Sequence, residues 1–470
     1  MRPPTYAIIQ QWFTRPLLAV AVALLLIAPA GRSSAAAIEP ARWVTKSGIV
    51  VLFVERHSLP TVHLQLLVKA GSALDPAGRE GTANLVASLL DEGTTGRSSQ
   101  QIAEAIDFLG ASLSAGAGPD ATTVSLNVLK KDLDAGMAIF SDVVLNPSFP
   151  EDELQRVRQQ ILGGLIAEED DPGTVARKAW QPLVYGAHPY RHPVEGTRDS
   201  LPAITRDELL AFHRQYYQPR QAILAVVGDL KRRDVETLLA RHFGSWKNSG
   251  PLITTALPAP EPSEPATKLI DKDLTQATII MGHLGLPRNH PDFYAVSVMN
   301  YVLGGGGFAS RLMTEIRDNQ GLVYGVHSAF QAMRAGGSFL ISLQTKNATA
   351  NQAMAEIKKV VAQVRTEGVT AQELEEAKAY LIGSFPLRLD TNAKLVGLLT
   401  NIELFELGLD YFDEYPGKIG AVTLEDVRRV AARYLHPDRM VLVVVAKQAE
   451  AQIVSQTSAS DSGSKPGSLQ

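Results

Sequence analysis

The feature that most constrains the fold of this chain is an internal repeat. Val143 in the first half corresponds to Val360 in the second at an offset of 217 residues, and Glu153 corresponds to Glu373 at an offset of 220. This nearly constant offset is most simply explained by an internal duplication of about 200 residues. The chain is therefore expected to contain two copies of one domain fold.

Each half has a similar order of strand-like and helix-like segments. The first half is predicted to contain strands at residues 49–54, 63–68, 122–126 and 223–227 and helices at 81–90, 133–145 and 151–167. The second half is predicted to contain strands at 277–283, 338–343 and 440–445 and helices at 293–303, 350–366 and 370–384. Strands followed by runs of helices predict an α+β fold, in which each domain is a largely antiparallel sheet with helices packed on one face.

The length of the chain also requires more than one domain, because single hydrophobic cores stop growing near about 250–300 residues. Five prolines lie between positions 251 and 265, which is typical of a stiff, extended spacer. The predicted domains are a signal peptide at 1–37, an N-terminal peptidase-like domain at 38–246, a linker at 247–267, a C-terminal peptidase-like domain at 268–447 and a disordered tail at 448–470.

The N-terminus resembles a secretory signal peptide. Arg2 and Arg15 precede an apolar run at 17–27, and small residues follow at 33–37. We expect cleavage after Ala37 and export to the periplasm, with an uncleaved anchor as the alternative. Because a membrane-spanning helix needs roughly 20 apolar residues, the run is too short for a stable membrane anchor.

Charge and cysteine content exclude several classes of function. The chain has no cysteine, so neither a disulfide framework nor a cysteine-ligated metal is available. Residues 1–37 hold three arginines and no acidic residue, so their removal would change the formal charge from −4 to −7. An acidic chain without a basic block is not expected to bind nucleic acid.

The segment at residues 81–94 reads GTANLVASLLDEGT. It resembles the signature helix of the pitrilysin, insulysin and mitochondrial-processing-peptidase family, a family of inverted-zincin metallopeptidases. That signature runs Gly-x-Ala-His-x-x-Glu-His and closes with Gly-Thr. The flanking residues Gly81, Ala83, Gly93 and Thr94 match it. We therefore interpret the chain as a member of this family.

The resemblance extends over residues 45–447, but the family's zinc chemistry is missing. Such chemistry needs three protein ligands and an open position for water, with a glutamate as general base. The first histidine falls on Asn84, the base on Ala87, the second histidine on Ser88 and the distal glutamate on Gly164. These positions predict a degenerate site, so no metal is expected in this chain.

Two other groups of residues have metal-like composition. The acidic run at 168–171 places its carboxylates on different faces, so it is interpreted as a solvated helix end. His188 and His192 have ligand-like spacing, but Pro189 lies between them and prevents a helix from aligning them. We interpret them as loop histidines.

The second half contains a run of four glycines at 304–307, followed by a predicted helix at 309–319 that ends at Gly321. The Lys-Ser/Thr pair of a phosphate-binding loop is missing. The run is thus interpreted as a flexible hinge or as a loop that allows close approach.

Arg317 and Tyr324 lie at the corner between this helix and the next strand. Their spacing alone fits a helix-capping arginine and an ordinary strand aromatic. In the family that the chain resembles, an equivalent Arg/Tyr pair reaches the zinc site of the opposing half, binds the substrate backbone and stabilises the oxyanion. The resemblance therefore implies a functional role for both residues.

Taken with the degenerate motif, the pair resembles family members that form heterodimers, in which one chain carries zinc and the other carries the Arg/Tyr pair. The resemblance implies a noncatalytic subunit that forms half of a clamshell around unstructured peptides, with zinc in a homologous partner. The alternative is a zinc-free homodimer that binds peptides or has a structural role. Peptidase activity from this chain alone is the third and weakest hypothesis.

Overall fold

The structure is a computed structural model that describes residues 38–250 and 255–453. The predicted signal peptide at 1–37 lies outside the described residues, as does the tail from residue 454. Every described helix and strand belongs to the compact unit that starts at Pro40. No helix in the described ranges is both long and apolar enough to cross a membrane.

The first half of this unit is built on a six-stranded sheet with the strand order β1-β2-β6-β3-β5-β4. Its strands are β1 (Ala41–Val44), β2 (Val50–Glu55), β3 (Thr61–Val68), β4 (Ser112–Ala117), β5 (Thr122–Leu129) and β6 (Ala222–Gly228). β2 and β6 run parallel, and the other neighbouring pairs are antiparallel. β4 is an edge strand, so one side of its backbone pairs with no other strand of the described chain.

The second half is built on a five-stranded sheet with the order β7-β11-β8-β10-β9. Its strands are β7 (Thr267–Asp271), β8 (Gln276–Leu284), β9 (Val323–Ala332), β10 (Gly337–Lys346) and β11 (Val441–Ala446). β7 and β11 are parallel, whereas the other pairs are antiparallel. This sheet has the connectivity of the first sheet without β1, and β9 takes the edge position that β4 holds there.

The helices follow the strands in both halves. In the first half they are α1 (Thr82–Ser88), α2 (Ser99–Phe108), α3 (Leu133–Leu145), α4 (Glu151–Ala167), α5 (Pro172–Tyr185), α6 (Arg206–Tyr216) and α7 (Arg232–His242). In the second half they are α8 (Phe293–Asn300), α9 (Ala350–Glu367), α10 (Ala371–Ser384), α11 (Asn392–Leu404), α12 (Tyr411–Gly420), α13 (Leu424–Tyr434) and α14 (Gln448–Ala451). The predicted fold class is confirmed: two similar α+β domains with largely antiparallel sheets.

The first domain has its core between one sheet face and its helices. Leu66 and Val226 on the sheet pack in one cluster with Leu85, Phe140 and Leu209 from the helices. All seven residues of β6 are buried, as are all six of β11. Because successive side chains point to opposite faces, a strand that is buried throughout must be covered on both sides. A second layer therefore covers the other face of each sheet.

In this second layer, each half supplies a helix that covers the sheet of the other half. α5, from the first half, packs on the second sheet, where the Trp180 indole N–H donates to the Val441 carbonyl at 3.0 Å. α11, from the second half, packs against β3 and β6 of the first sheet. Arg42 on β1 holds Glu403 of α11 through two hydrogen bonds of 2.7 and 2.9 Å. Each sheet thus depends on a helix of the other half, which the repeat pattern did not predict.

Two predicted segments differ from the structure. A single helix was predicted at 309–319. The structure instead has a 3₁₀ turn at Gly307–Ala309 and, after a short helical stretch, a π-helix at Met313–Asp318. The tail predicted to be disordered from residue 448 begins with α14, so that prediction was wrong there. Ala451 of α14 is buried, and its carbonyl accepts a hydrogen bond from Asn351 at 3.1 Å. This contact explains why the order continues past β11.

Candidate functional site

Three of the four positions that match the zinc motif come together in one cavity of about 520 Å³. α1 contributes Asn84 and Ser88, which share a face because they are four residues apart. α4 contributes Gly164, and the edge strand β4 lies alongside. We call this space the degenerate zinc cavity. The structure therefore places three of the four predicted positions at one site.

Ala87, at the position of the general base, is fully buried and does not line the cavity. α1 itself is held at its start by Asp75, which accepts the backbone N–H groups of Gly81 and Ala83 at 2.7 and 2.8 Å. Burial raises the pKa of Asp75 to about 7, against the opposite effect of these two donors. The scaffold that positions the motif is intact although the motif residues have changed.

The cavity residues do not fit a zinc ion. An amide, a hydroxyl and a glycine stand where zinc needs anionic or imidazole donors. Glu92 is paired with Arg156 at 2.6 Å, and Glu168 is paired with Lys178. In residues 38–250 and 255–453 no group of three or more histidines or acidic residues is arranged to hold a metal. Zinc-dependent hydrolysis therefore has neither its metal site nor its base here.

The two loop histidines have structural partners. His188 accepts the Tyr190 backbone N–H on Nδ1 at 3.1 Å, which leaves Nε2 to donate to the Pro258 carbonyl at 3.0 Å. His192 contacts the Pro193 carbonyl at 3.4 Å through Nδ1. Both ring nitrogens of His188 are thus committed to the backbone, and its ring links the first half to the segment that precedes β7.

Arg317 and Tyr324 lie on the surface of the second half. Tyr324, on the edge strand β9, is 89% exposed, and the Arg317 side chain is 34% exposed. The guanidinium lies 5.9 Å from the centre of the Tyr324 ring and donates to Asp318 at 2.8 Å. The structure therefore brings the predicted pair together. Neither residue lines the degenerate zinc cavity of the same chain.

A third residue of this surface, Phe308, was missed by the sequence reasoning. Its ring is 73% exposed, and the Arg317 guanidinium lies 5.1 Å from its centre. Arg317 therefore contacts two exposed aromatic rings, and such cation–π contacts restrict the orientation of a guanidinium. The sequence feature that could have identified Phe308 is its position as an aromatic residue directly after the glycine run.

The glycine run that precedes Phe308 is closely packed. A Cβ on Gly304 would lie 2.5 Å from the Ser328 hydroxyl, and one on Gly306 would lie 2.7 Å from the Tyr301 carbonyl. Gly307 has a φ of +58°, which other residues rarely adopt. The interpretation as a close-approach loop accounts for these contacts, and a flexible hinge does not. The first two glycines of the run belong to a π-helical turn at Tyr301–Gly305, and a second π-helical turn follows at Met313–Asp318. Such turns are frequent at functional sites.

The segment that carries Arg317 is also held by an ion pair with the neighbouring helix α10. Arg311 forms two hydrogen bonds of 2.6 and 2.7 Å with Glu373 at the start of α10. Burial alone would raise the pKa of Glu373, but Arg311 and the Thr370 backbone N–H together lower it to about 2. The ion pair is therefore fully formed near neutral pH and holds the Arg317 segment against α10.

The fold and the degenerate cavity define a class: a two-domain zinc-peptidase scaffold without the groups that bind zinc or activate water. The model for "Insulinase (Peptidase family M16)" matches residues 50–198, and the model for "Peptidase M16 inactive domain" matches residues 203–381. The chain belongs to peptidase family M16.

A solved structure titled as a peptidase M16 inactive domain, from Pseudomonas fluorescens, is similar with a TM-score of 0.83 and 34% identity. The match covers 87% of this chain and 98% of that one. A protein called "Non-peptidase homolog YmxG" from Helicobacter pylori is 25% identical over 86% of this chain and 93% of its own length. An uncharacterized zinc protease of Mycobacterium leprae is 29% identical over 84% of this chain and 89% of its own length.

Together with the missing ligands and base, these similarities identify the chain as an inactive M16-family protein. The scaffold is retained over almost all of its length, whereas the catalytic positions Asn84, Ala87, Ser88 and Gly164 carry no zinc chemistry.

Proposed function

We propose that this chain is the noncatalytic subunit of a heteromeric zinc metallopeptidase. It would bind peptide substrate and supply Arg317 and Tyr324 to the zinc centre of a homologous partner chain. One observation carries the proposal: zinc chemistry is lost, yet Tyr324 is 89% exposed and lies beside Arg317. A large exposed aromatic on an edge strand has no role in this chain's own core, which favours a role in contact with another molecule.

The chemistry of the pair suits an incoming peptide. A guanidinium donates hydrogen bonds to backbone carbonyls of the substrate. The tyrosine hydroxyl can donate to the oxyanion that forms when water attacks the scissile carbonyl, and such a bond strengthens in the transition state. Phe308 and Tyr324 restrict the Arg317 guanidinium before the peptide arrives, which reduces the entropy lost on binding.

The degenerate zinc cavity supports peptide binding by a second route. Leu113, Ser114 and Ala115 of β4 line it, and β4 is an edge strand. An unstructured peptide can add to such an edge through main-chain hydrogen bonds, which tolerate varied sequences. In this proposal β4 holds substrate near the partner without cleaving it.

Export belongs to the same proposal. The signal-peptide pattern at 1–37 and the absence of cysteine are compatible with a periplasmic peptidase complex. The zinc-bearing subunit would then carry a signal peptide as well.

The test is reconstitution with a homologous chain that carries an intact H-x-x-E-H motif. Peptide hydrolysis by the mixture should exceed the activity of the zinc-bearing chain alone. Tyr324→Phe should lower kcat about 100-fold, as expected for loss of one oxyanion donor, while co-purification of the two chains is unchanged.

Tyr380→Phe is the matched control. Tyr380 is another exposed tyrosine of the second half, on α10, where its ring lies tilted against the Tyr301 ring with 4.9 Å between the ring centres. Its hydroxyl has no part in the proposal, so activity should stay at the wild-type level. A mixture no more active than the zinc-bearing chain alone would overturn the proposal and favour the zinc-free peptide-binding or structural role.

A further inference from the structure

A groove of about 670 Å³ crosses the second sheet beside α5, separate from the degenerate zinc cavity. Strands β8, β9 and β10 form its floor, and the first turns of α5 form one wall. Tyr324 is also among its lining residues, so the groove adjoins the Arg317/Tyr324 surface. We call it the sheet groove and define it by Arg177, Gln276, His327, Gln331 and Gln344.

The floor is one face of three paired strands. Ile280, Ser342 and His327 lie directly opposite one another across β8, β10 and β9. In the next row Gln344 lies opposite Thr278. Because side chains alternate between the two faces of a sheet, residues two apart on each strand share this face. The polar residues of the groove are thus a continuous feature of the sheet.

Part of the same face is closed by α5. Ile280 and Leu340 are buried there in one apolar cluster with Ala176 and Trp180. Beyond that cluster, toward the edge strand β9, no described helix covers the face, and Gln331, His327 and Gln344 are exposed. The groove therefore combines an apolar inner side with a polar floor and an unpaired strand edge.

The polar floor has unused hydrogen-bonding capacity. The side chains of Gln276, His327, Gln331, Ser342 and Gln344 form no hydrogen bond with another residue in the described ranges. Each glutamine offers both an N–H donor and a C=O acceptor, the same two groups that a peptide unit presents. The three glutamines and Ser342 carry no charge.

A positive charge stands on the wall of the groove. Arg177 on α5 is exposed, its guanidinium donates to the Thr174 hydroxyl at 3.3 Å, and no carboxylate of the described chain lies within salt-bridge distance of it. Asp171, the only carboxylate of the lining, accepts the Thr174 backbone N–H at 2.9 Å and caps α5. Hydrogen bonds from Thr174 and, to a smaller extent, the nearby positive charge of Arg177 lower the pKa of Asp171. The two side chains form no ion pair, so the Arg177 guanidinium keeps hydrogen-bond donors for an anion.

We propose that the sheet groove binds the carboxy-terminal segment of an extended peptide, with the terminal carboxylate on Arg177. The main chain lies along β9, with its amides on the glutamine side chains. This assignment deepens the proposed function and rests on it for the class of ligand, a peptide. A carboxylate matches the planar fork of a guanidinium, and the glutamine side chains of the floor supply donors and acceptors that can pair with peptide units.

The test uses the full chain alone, without a partner or zinc. An unstructured nonapeptide of alanine and serine, labelled at its amino terminus with a fluorophore, is titrated as the free acid and as the carboxy-terminal amide. Fluorescence anisotropy should show the free acid binding at least about 10-fold more tightly, because hydrogen bonds between two charged groups are the stronger kind. Equal affinity for the two peptides would overturn the assignment of the carboxylate.

Arg177→Gln should reduce the affinity for the free acid to that of the amide. Arg233→Gln on α7 is the matched control, because it removes one exposed positive charge that is not part of the groove lining and should change neither affinity. Gln344→Ala should weaken the binding of both peptides by the same factor, since the Gln344 side chain is proposed to contact the peptide main chain, which the two peptides share. An unchanged affinity in Gln344→Ala would contradict the path of the peptide along the floor.

Failure of this inference and failure of the proposed function are distinguishable. Binding of the free acid by the isolated chain, without activation of a zinc-bearing partner, would overturn the proposed function and leave the groove assignment standing. Activation of a partner together with no binding of either peptide by the isolated chain would overturn the groove assignment alone.

Discussion

Three residues of the degenerate zinc cavity decide what the site can do. Asn84 and Ser88 retain the helical spacing of two zinc ligands, and Gly164 faces them from α4 across the same cavity. A Cβ on Gly164 would meet nothing within 4 Å, so a longer side chain has room there. The loss of metal binding is thus a loss of donor atoms, with the geometry around them retained.

Restoring the donors should restore metal binding. The triple variant Asn84→His, Ser88→His and Gly164→Glu supplies two imidazoles and one carboxylate, the ligand set of a catalytic zinc site. After dialysis against zinc and then against metal-free buffer, elemental analysis should find roughly one zinc per chain. The wild-type chain should retain none.

The double variant Asn84→His and Ser88→His, with Gly164 retained, is the control for the triple variant. Two ligands hold zinc much less firmly than three, so its zinc content after dialysis should be close to that of wild type. Equal zinc in the double and triple variants would contradict the placement of Gly164 opposite α1.

At the scale of elements, two runs of consecutive glycines look alike in the sequence but have opposite effects on packing. Gly163 and Gly164 lie in the exposed part of α4 with nothing near a Cβ position, so they only weaken the helix. Gly304 lies against Ser328 and Leu312, at 2.5 and 2.7 Å from a Cβ position, so it allows the close approach that places Phe308 beside Arg317. Only the packing separates the two cases.

Two alanine substitutions should therefore change stability in opposite directions. Gly163→Ala should raise the free energy of unfolding by about 0.5–1 kcal/mol, because alanine restricts the unfolded chain and suits a helix. Gly304→Ala should lower it by about 1–3 kcal/mol, because the added methyl group overpacks the loop. Urea unfolding followed by far-ultraviolet circular dichroism measures both. A stabilising effect of Gly304→Ala would mean that the loop is not closely packed.

At the scale of the whole molecule, the two halves are interlocked by exchanged helices. α5 covers the second sheet, and α11 covers the first sheet. Further contacts join the tips of the two hairpins, where the Arg334 backbone N–H donates to Asp120 at 3.1 Å. Because neither sheet can bury its second face without the other half, the two halves should unfold together.

Trp180→Ala tests this coupling. Trp180 belongs to the first half but packs on β11, so removing its side chain should lower the free energy of unfolding by about 3–5 kcal/mol. Hydrogen exchange should show faster exchange of the amides of β11, about 260 residues away in the sequence.

Trp43→Ala is the matched control. Trp43 lies on β1 and contacts Arg232 of its own half at 4.7 Å, so its loss should cost about 1 kcal/mol and leave exchange in β11 unchanged. If Trp180→Ala left β11 fully protected, the two halves would be independent folding units.

By itself, the sequence determined the class of fold and the loss of catalysis. Periodic apolar segments at a constant offset predict two α+β units, since strand and helix periodicity are local properties of the chain. The donor groups at positions 84, 87, 88 and 164 are read directly from the residue types, because an amide, a methyl group, a hydroxyl and a hydrogen atom cannot replace two imidazoles and two carboxylates.

The tertiary structure alone decided which distant residues meet. The pattern could not show that α5 and α11 exchange sheets, because an apolar helix face does not specify which sheet it will cover. It also could not place Arg177 above the glutamines of β9 and β10, since this contact joins elements far apart in the chain. Phe308 lies only nine residues before Arg317, but their contact depends on the 3₁₀ turn and the π-helix at 307–318, where a regular helix was predicted. Local sequence sets the elements, whereas packing between them creates the surfaces on which the proposed functions rest.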